Sequence, residues 1–162
     1  MFDQLYFLGQ TEYSVWALKT SGGIILIDAI FDYSVDDEVA GGLRKLGLDP
    51  ADIKYAIVSH GHADHYGALT DYARAFQGKT RPGLTLYAGG EDTFCRRVVA
   101  TPAGNVEQGQ LDRAGLEGRG LAVVLAKQPT TVAGHAFTSG QIARLTDFEK
   151  PPAAARLVAG PM

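Results

Sequence analysis

The chain has 162 residues, of which 46% are hydrophobic, and this length suits one domain with a buried core. A formal net charge of −3 and scattered basic residues argue against a nucleic-acid-binding protein, which would carry a clustered basic face. The single cysteine, Cys95, excludes an internal disulfide. The N-terminus shows no signal pattern, and no apolar run approaches the roughly 20 residues of a membrane span. We therefore expect a cytoplasmic protein without a membrane anchor.

The first 28 residues predict a small antiparallel sheet. Apolar, β-branched or aromatic runs at residues 5–8, 14–20 and 24–28 are separated by turn signals at Gly9 and Gly22. An amphipathic helix should follow, because Ser34 can cap it and three acids occupy its first turn. Its apolar residues recur at helical spacing until Gly47; they are Val35, Val39, Leu43 and Leu46.

Three of the four histidines lie in residues 60–65, whose sequence is His-Gly-His-Ala-Asp-His. The preceding run, residues 55–59, is typical of a buried strand that ends at His60. Side chains at i and i+2 of an extended chain point to the same side, so His60 and His62 can hold one metal ion between them. Asp64 and His65 follow where the chain turns into the next helix. Zinc accepts these imidazole and carboxylate donors, and manganese or iron are alternatives because the same donors suit several divalent ions.

Two ions about 3.5 to 4 Å apart can share a hydroxide that acts as a nucleophile near neutral pH, so the spacing predicts a dinuclear hydrolytic centre. Asp64 would then bind a metal ion and also orient the hydroxide or accept its proton, which makes Asp64 the candidate catalytic residue. A mononuclear site and a purely structural role for the histidines are the alternatives. Three histidines and an aspartate rarely take this spacing without a metal, which favours the metal site.

The second half of the chain continues to alternate between strands and helices. Residues 66–76 predict a helix that begins at the motif, residues 84–88 and 121–125 predict buried strands, and residues 92–98 predict a short helix. Residues 101–110 contain Pro, Asn and two Gly with few apolar side chains, so we expect a mobile loop near the active-site mouth. Residues 1–150 are assigned to one domain, and residues 151–162 to a C-terminal tail or arm outside regular structure.

The motif resembles the His-x-His-x-Asp-His signature of the metallo-beta-lactamase superfamily, and its flanks are similar too. Residues 22–28 look like the family's strand that ends in an aspartate, and Ser59 and Tyr66 frame the motif as in many members. Later segments, at residues 81–87 and 137–142 with Phe148, look more like a branch that includes pterin-related phosphate synthases. The resemblance implies an α/β (α+β) fold, a metallo-beta-lactamase-like sheet with flanking helices. This short or truncated chain would form about half to two thirds of the four-layer αββα sandwich.

The resemblance also implies roles for two residues outside the motif. A histidine well downstream completes the first metal site in the superfamily, and His135 is the remaining histidine that can join His60 and His62. The alternative is that His135 only forms a local hydrogen bond. Asp28 is expected behind the metal loop, where it orients an imidazole or a backbone amide, and the alternative is a turn cap.

Three further side chains are interpreted as structural. Cys95 is expected to be small and buried, as free cysteines usually are. Arg144 and Glu149 are expected to form an ion pair at the surface or at the rim of the site. No histidine follows His135, so water, another residue or a second subunit would have to complete the second metal site.

These observations together predict a metal-dependent hydrolase that holds one or two zinc ions per chain. Its substrate would be a small ester, lactone, β-lactam or phosphoester. The first alternative is a metal-binding protein with little catalysis, because the C-terminal half of the fold would be missing, and the second is a redox-active di-iron protein. Since half a sandwich leaves the inner face of its sheet exposed, we also expect a homodimer in which a second copy covers that face.

Overall fold

The computed structural model describes residues 3–75, 84–143, 145–146, 148 and 153–158. In this part of the chain, eleven strands form three sheets. The strands are β1 (Leu5–Phe7), β2 (Trp16–Thr20), β3 (Gly23–Ile27), β4 (Ile53–Ile57), β5 (Thr85–Ala88), β6 (Arg96–Thr101), β7 (Gly104–Gly109), β8 (Ala122–Leu125), β9 (Thr130–Val132), β10 (Ala136–Thr138) and β11 (Ala155–Val158). The α-helices are α1 (Gly41–Lys45), α2 (Ala63–Ala75) and α3 (Arg113–Gly118).

Shorter helical turns complete the described structure. A π-helical segment, Val35–Ala40, leads directly into α1, so the predicted helix over residues 34–46 is confirmed in a mixed π and α form. Single 3-10 turns cover Asp32–Ser34, Pro50–Asp52 and Glu91–Phe94. Helix α2 begins three residues before the predicted start, and the predicted end at Phe76 lies outside the described residues.

The largest sheet has six strands in the order β1-β2-β3-β4-β5-β8. Strands β1, β2 and β3 are antiparallel, which confirms the predicted meander, whereas β3, β4, β5 and β8 run parallel. Parallel neighbours need crossover connections, and α1 and α2 lie in the connections from β3 to β4 and from β4 to β5. The mixed α/β architecture confirms the predicted fold class.

One face of this sheet carries the core. The strand register aligns one residue from each strand in a row across it: Tyr6, Ala17, Leu26, Ala56, Leu86 and Val123. The four central members of this row are almost fully buried, and they share one apolar cluster with side chains of all three helices, including Leu43, Leu69 and Leu116. The helices therefore pack on this face.

The opposite face of the sheet is apolar but only partly covered. The neighbouring row in the register points there; its members are Phe7, Trp16, Ile27, Ile57, Tyr87 and Val124. Phe7 is 48% exposed and Trp16 is 38% exposed, and their rings meet edge to face with centroids 5.2 Å apart. We call this row the open-face row.

The segment predicted to be a mobile loop is instead part of a second sheet, so that prediction is wrong. Strand β6 pairs with β7 through a turn at Pro102–Gly104, where Gly104 has a φ of +122° and Thr101 Oγ1 donates a hydrogen bond to its carbonyl. The Pro, Gly and Asn residues mark a hairpin turn. Because β7 is mostly exposed on both faces, its sequence shows no alternation that would have predicted a strand.

Two further elements differ from the sequence expectation. Residues 92–98, predicted to be a helix, form a 3-10 turn that is followed by β6, because the β-branched pair Val98 and Val99 favours a strand. Ala155–Val158, predicted to lie outside regular structure, forms β11 on the other edge of β6. The boundary proposed at residue 150 stays a prediction. No helix in the described ranges is long and apolar enough to cross a membrane.

Candidate metal centre

The motif lies at the carboxyl ends of two neighbouring parallel strands. Asp28 follows β3, and the segment from Val58 to His62 follows β4 and leads into α2. The backbone holds these ends together, because Asp28 N donates to Ile57 O at 2.9 Å and Ala29 N donates to His65 O at 2.8 Å. Sites in open α/β sheets form at this edge, where several strand ends and loops converge.

Asp28 is buried and accepts three hydrogen bonds from the motif. Its Oδ1 accepts from Ser59 N at 2.8 Å, and its Oδ2 accepts from Ser59 Oγ and from His65 Nδ1, both at 2.9 Å. The backbone of Asp28 has a φ of +60°, a left-handed conformation that Asp tolerates better than most residues. The structure thus brings Asp28 against the metal loop, where it orients both an imidazole and a backbone amide.

The same network assigns the protonated nitrogens of two histidines. Since Ser59 Oγ donates its single proton to Asp28, it accepts from His60 Nδ1, which lies 3.1 Å away. His65 Nδ1 also carries a proton, because it donates to Asp28. The Nε2 atom of each ring then carries the lone pair that could bind a metal ion, and Nε2 of His65 faces Asp64 Oδ2.

The four motif side chains form one cluster. The ring centroid of His60 lies 4.7 Å from that of His62 and 3.8 Å from that of His65, and His65 Nε2 lies 3.3 Å from Asp64 Oδ2. Within the described part of the chain, no three His, Cys, Asp or Glu side chains are oriented to hold an ion as they stand. The donor set itself, three imidazoles and a carboxylate, fits zinc.

Burial lowers the pKa of His60, and the neighbouring His65 and His62 lower it further by charge repulsion. The neutral imidazole is the form that binds metal ions, so this environment reduces competition from protons.

Arg97, a residue that the sequence interpretation missed, supports the metal loop from the second sheet. Its guanidinium donates to the carbonyls of Asp92, Thr93 and Cys95 at 2.6, 3.1 and 3.0 Å. It also lies against Gly61, where a Cβ atom would overlap it. Sequence alone offered no signal for this role, because an arginine in a strand is usually a surface residue.

Gly67, the fifth residue of α2, allows the loop after Asp28 to contact this helix closely. A Cβ atom at Gly67 would lie 2.9 Å from Ile30 O, 3.0 Å from Asp32 N and 3.0 Å from Phe31 Cα. Ala68 N donates to Ile30 O at 2.9 Å, which fixes the contact. Loop and motif therefore hold each other in place.

Tyr66, directly after the motif, carries a buried hydroxyl without a hydrogen-bond partner. The residue is only 5% exposed, and a Cβ atom at Gly109 would lie 2.7 Å from its Oη. Burial raises the pKa of the phenol. Unpaired buried hydroxyls are uncommon in native structures, because each one loses its hydrogen bonds to water.

A groove of approximately 460 Å³ opens beside the motif. Its lining residues come from three segments: Tyr13 and Phe31 from loops, His62, Ala63 and Asp64 from the motif, and Glu107, Gln108 and Gly109 from β7. The groove gives a small molecule access to the cluster.

The structure places His135 away from the motif. His135 lies in the turn between β9 and β10, is exposed, and has its Nε2 atom 3.1 Å from Ser21 Oγ. Ser21 precedes β3, whereas Asp28 follows it, so His135 is at the opposite end of the sheet. The expected site with His60 and His62 is not formed, because the β9–β10 hairpin reaches the turn between β2 and β3 instead.

The structure also bears on the expectations for Cys95 and for the pair Arg144 and Glu149. Cys95 is half-buried rather than fully buried, because the 3-10 turn before β6 leaves it near the surface. Arg144 and Glu149, the expected ion pair, lie outside the described residues.

Comparison with known proteins identifies the family. The sequence profile of the metallo-beta-lactamase superfamily matches residues 8–141. The N-acyl homoserine lactonase AttM of Azorhizobium caulinodans is 42% identical over 40 residues, which make up 25% of this chain and 15% of the lactonase.

Several solved structures are similar in fold. One is described as the first B3 metallo-beta-lactamase with an active-site glutamic acid; it has a TM-score of 0.57, is 23% identical, and aligns over 82% of this chain and 47% of its own. The subclass B3 enzyme MEM-A1, from a soil metagenome, has a TM-score of 0.56, is 20% identical, and aligns over 82% and 47% of the two chains. BJP-1 of Bradyrhizobium japonicum has a TM-score of 0.53, is 23% identical, and aligns over 81% and 46%.

At these identities the structural likeness shows the fold, and this chain spans less than half of each of the three enzymes. The profile match covers most of this chain and includes both the motif and Asp28. The chain belongs to the metallo-beta-lactamase superfamily.

Proposed function

We propose that this chain is a metal-dependent hydrolase in which His60, His62, Asp64 and His65 bind the metal, with zinc as the ion. The observation that carries the proposal is the hydrogen-bond network of Asp28 and Ser59, which engages Nδ1 of His60 and of His65 and leaves their Nε2 atoms as the candidate metal donors. Metal-ligating histidines usually donate their other ring nitrogen to such an oxygen.

The proposed substrate is a small ester, lactone, β-lactam or phosphoester. A divalent ion in this cluster would polarise the substrate oxygen and lower the pKa of a bound water. Asp28 keeps the His65 ring in one orientation, and Ser59 does the same for His60. Asp64, which lines the groove, would orient the attacking water through its carboxylate and receive its proton.

Metal analysis of the purified protein, combined with a panel of ester, lactone, β-lactam and phosphodiester substrates, tests the proposal. We expect a chelator to abolish hydrolysis and zinc to restore it. Activity that survives complete removal of the metal would reject the scheme. One metal ion per chain without turnover would instead select a metal-binding protein with little catalysis, and an iron-dependent visible spectrum would select a di-iron protein.

A pair of histidine variants tests the ligand set. His62→Ala should lower the bound metal per chain, because it removes a donor from the cluster, whereas His135→Ala should leave it unchanged, because His135 contacts Ser21. A loss of bound metal in His135→Ala would show that His135 is a metal ligand.

A further inference from the structure

We infer that the groove beside the motif selects uncharged acyl substrates, esters or lactones with an apolar substituent, and that Phe31 and Tyr33 form the surface on which this substituent packs. The inference rests on the proposed hydrolase function and specifies its substrate class. It also separates the neutral members of the proposed substrate panel from the anionic ones.

Tyr13 and Phe31 line the groove, and Tyr33, which is not among its lining residues, contacts the Phe31 ring. The rings of Tyr13 and Phe31 meet edge to face with centroids 5.0 Å apart, and Tyr33 stacks on Phe31 at 5.3 Å with an interplanar angle of 10°. Tyr33 remains 74% exposed. An aromatic ring left in water beside a groove offers an apolar surface that a ligand can cover.

The aromatic surface is held at a set position relative to the proposed metal ligands. The backbone of Phe31 and Asp32 contacts Gly67 near the start of α2, close to the Ile30 carbonyl that accepts from Ala68 N. Asp64 and His65 lie in the first turn of the same helix. Because Phe31 and Asp64 line the same groove, a substrate whose apolar substituent packs against the Phe31 ring would have its reacting group held near the proposed metal ligands.

The charges around the groove do not provide for an anionic substituent. Glu107 is the acid on the β7 side, and it is paired with Arg96. Arg97 donates to three backbone carbonyls and lies against Gly61, so its guanidinium is already engaged. Among the described residues that line the groove there is no lysine or arginine.

An anionic group distant from the scissile bond would lose hydration in this groove without gaining a partner, and this loss opposes its binding. The groove therefore disfavours β-lactams and acyl esters that carry a free carboxylate. An alkyl chain gains affinity instead, by about fourfold for each methylene group fully removed from water.

Steady-state kinetics of the zinc-loaded protein test this selectivity. The probes are 4-nitrophenyl acetate, butyrate and pentanoate, with mono-4-nitrophenyl succinate as a carboxylate-bearing partner of the pentanoate. We expect kcat/KM to rise with chain length and to be at least about tenfold higher for the pentanoate than for the succinate.

Substitutions test whether the aromatic surface determines this selectivity. Tyr33→Ala removes an exposed ring without opening the core, and it should flatten the dependence of kcat/KM on chain length, as should Phe31→Leu. Phe137→Ala is the matched control, because Phe137 is 78% exposed on β10, outside the groove. Gln108→Lys places a cation on the β7 side and should raise kcat/KM for the succinate relative to the pentanoate.

The outcomes separate this inference from the proposed function. Metal-dependent hydrolysis that prefers the succinate, or a chain-length dependence equal in Tyr33→Ala, Phe31→Leu and Phe137→Ala, would overturn the inference and leave the hydrolase in place. Absence of metal binding and of any metal-dependent hydrolysis would overturn the proposed function and this inference with it.

Discussion

Asp28 joins three parts of the candidate centre: the end of β3, the backbone of the metal loop and the ring of His65. Its carboxylate accepts from Ser59 N, Ser59 Oγ and His65 Nδ1, so its negative charge offsets the charge that a bound metal ion places on the imidazole. Position 28 is strained for most residues, but Asn and Asp tolerate its φ of +60°.

Asp28→Asn consequently tests the carboxylate without changing the backbone. We expect zinc affinity to fall by about 10-fold to 100-fold, the usual cost of losing such a support. Titration against a competing chromophoric chelator measures the affinity. Asp49→Asn is the control, since Asp49 caps the 3-10 turn at Pro50–Asp52, at the other end of β4. Equal affinities in the two variants would contradict the assigned role of Asp28.

Tyr66 and Tyr72 allow a second test, because both are buried in α2 but only one hydroxyl lacks a partner. Tyr72 Oη donates to Pro50 O at 2.6 Å, whereas Tyr66 Oη has no hydrogen bond. We expect Tyr66→Phe to raise the free energy of unfolding by about 1 kcal/mol and Tyr72→Phe to lower it by about 1 kcal/mol. Urea denaturation measures both. A destabilised Tyr66→Phe would mean that the hydroxyl has a partner in solution.

At the level of helices and strands, the contact between the loop after β3 and helix α2 orders the site. Gly67 permits this contact because three backbone atoms lie 2.9 to 3.0 Å from where its Cβ would be. Ile30, inside the loop, has a φ of +43°, which is unusual for a β-branched residue and shows that the surrounding packing imposes this conformation.

Gly67→Ala should force the loop and the helix apart and lower the free energy of unfolding by about 1–3 kcal/mol. Gly118→Ala is the matched control, because the added Cβ in α3 would meet no atom within 4 Å. That variant should be neutral or more stable by up to about 1 kcal/mol, since alanine favours a helix. Denaturant unfolding compares the two, and equal effects would rule out the clash at Gly67.

The β6–β7 hairpin shows why part of the site could not be predicted. Its β7 strand has the sequence Gly-Asn-Val-Glu-Gln-Gly, with neither alternation nor an apolar run. Pairing with β6 makes it a strand, and this places Gln108 and Gly109 beside the motif. The buried strands β3, β4 and β5 were predicted within a few residues, because their apolar runs are local signals.

For the chain as a whole, the open-face row is an apolar surface that the described residues cover only in part. Its side chains run from Phe7 on β1 to Val124 on β8, opposite the helices. A contiguous apolar surface of this kind usually marks an interface. The homodimer expected from the sequence therefore stays a prediction, with the open-face row as its contact surface.

Light scattering at micromolar concentration should give a mass about twice the 17.3 kDa of one chain. Trp16→Glu should return the mass to that of a single chain, because a carboxylate in an apolar interface loses its hydration. Val106→Glu, on the exposed strand β7, is the control and should leave the dimer intact. A wild-type mass of 17.3 kDa would show a single chain and contradict the predicted dimer.

The sequence alone was sufficient to predict the family, the main strands and the clustering of His60, His62, Asp64 and His65. These features depend on residues that are close together in the chain, so their spacing carries the information. The positions of Arg97 and of the groove, and the separation of His135 from the motif, depend on contacts between distant segments. Strand pairing and the packing of loops determine such contacts, and no local pattern encodes them.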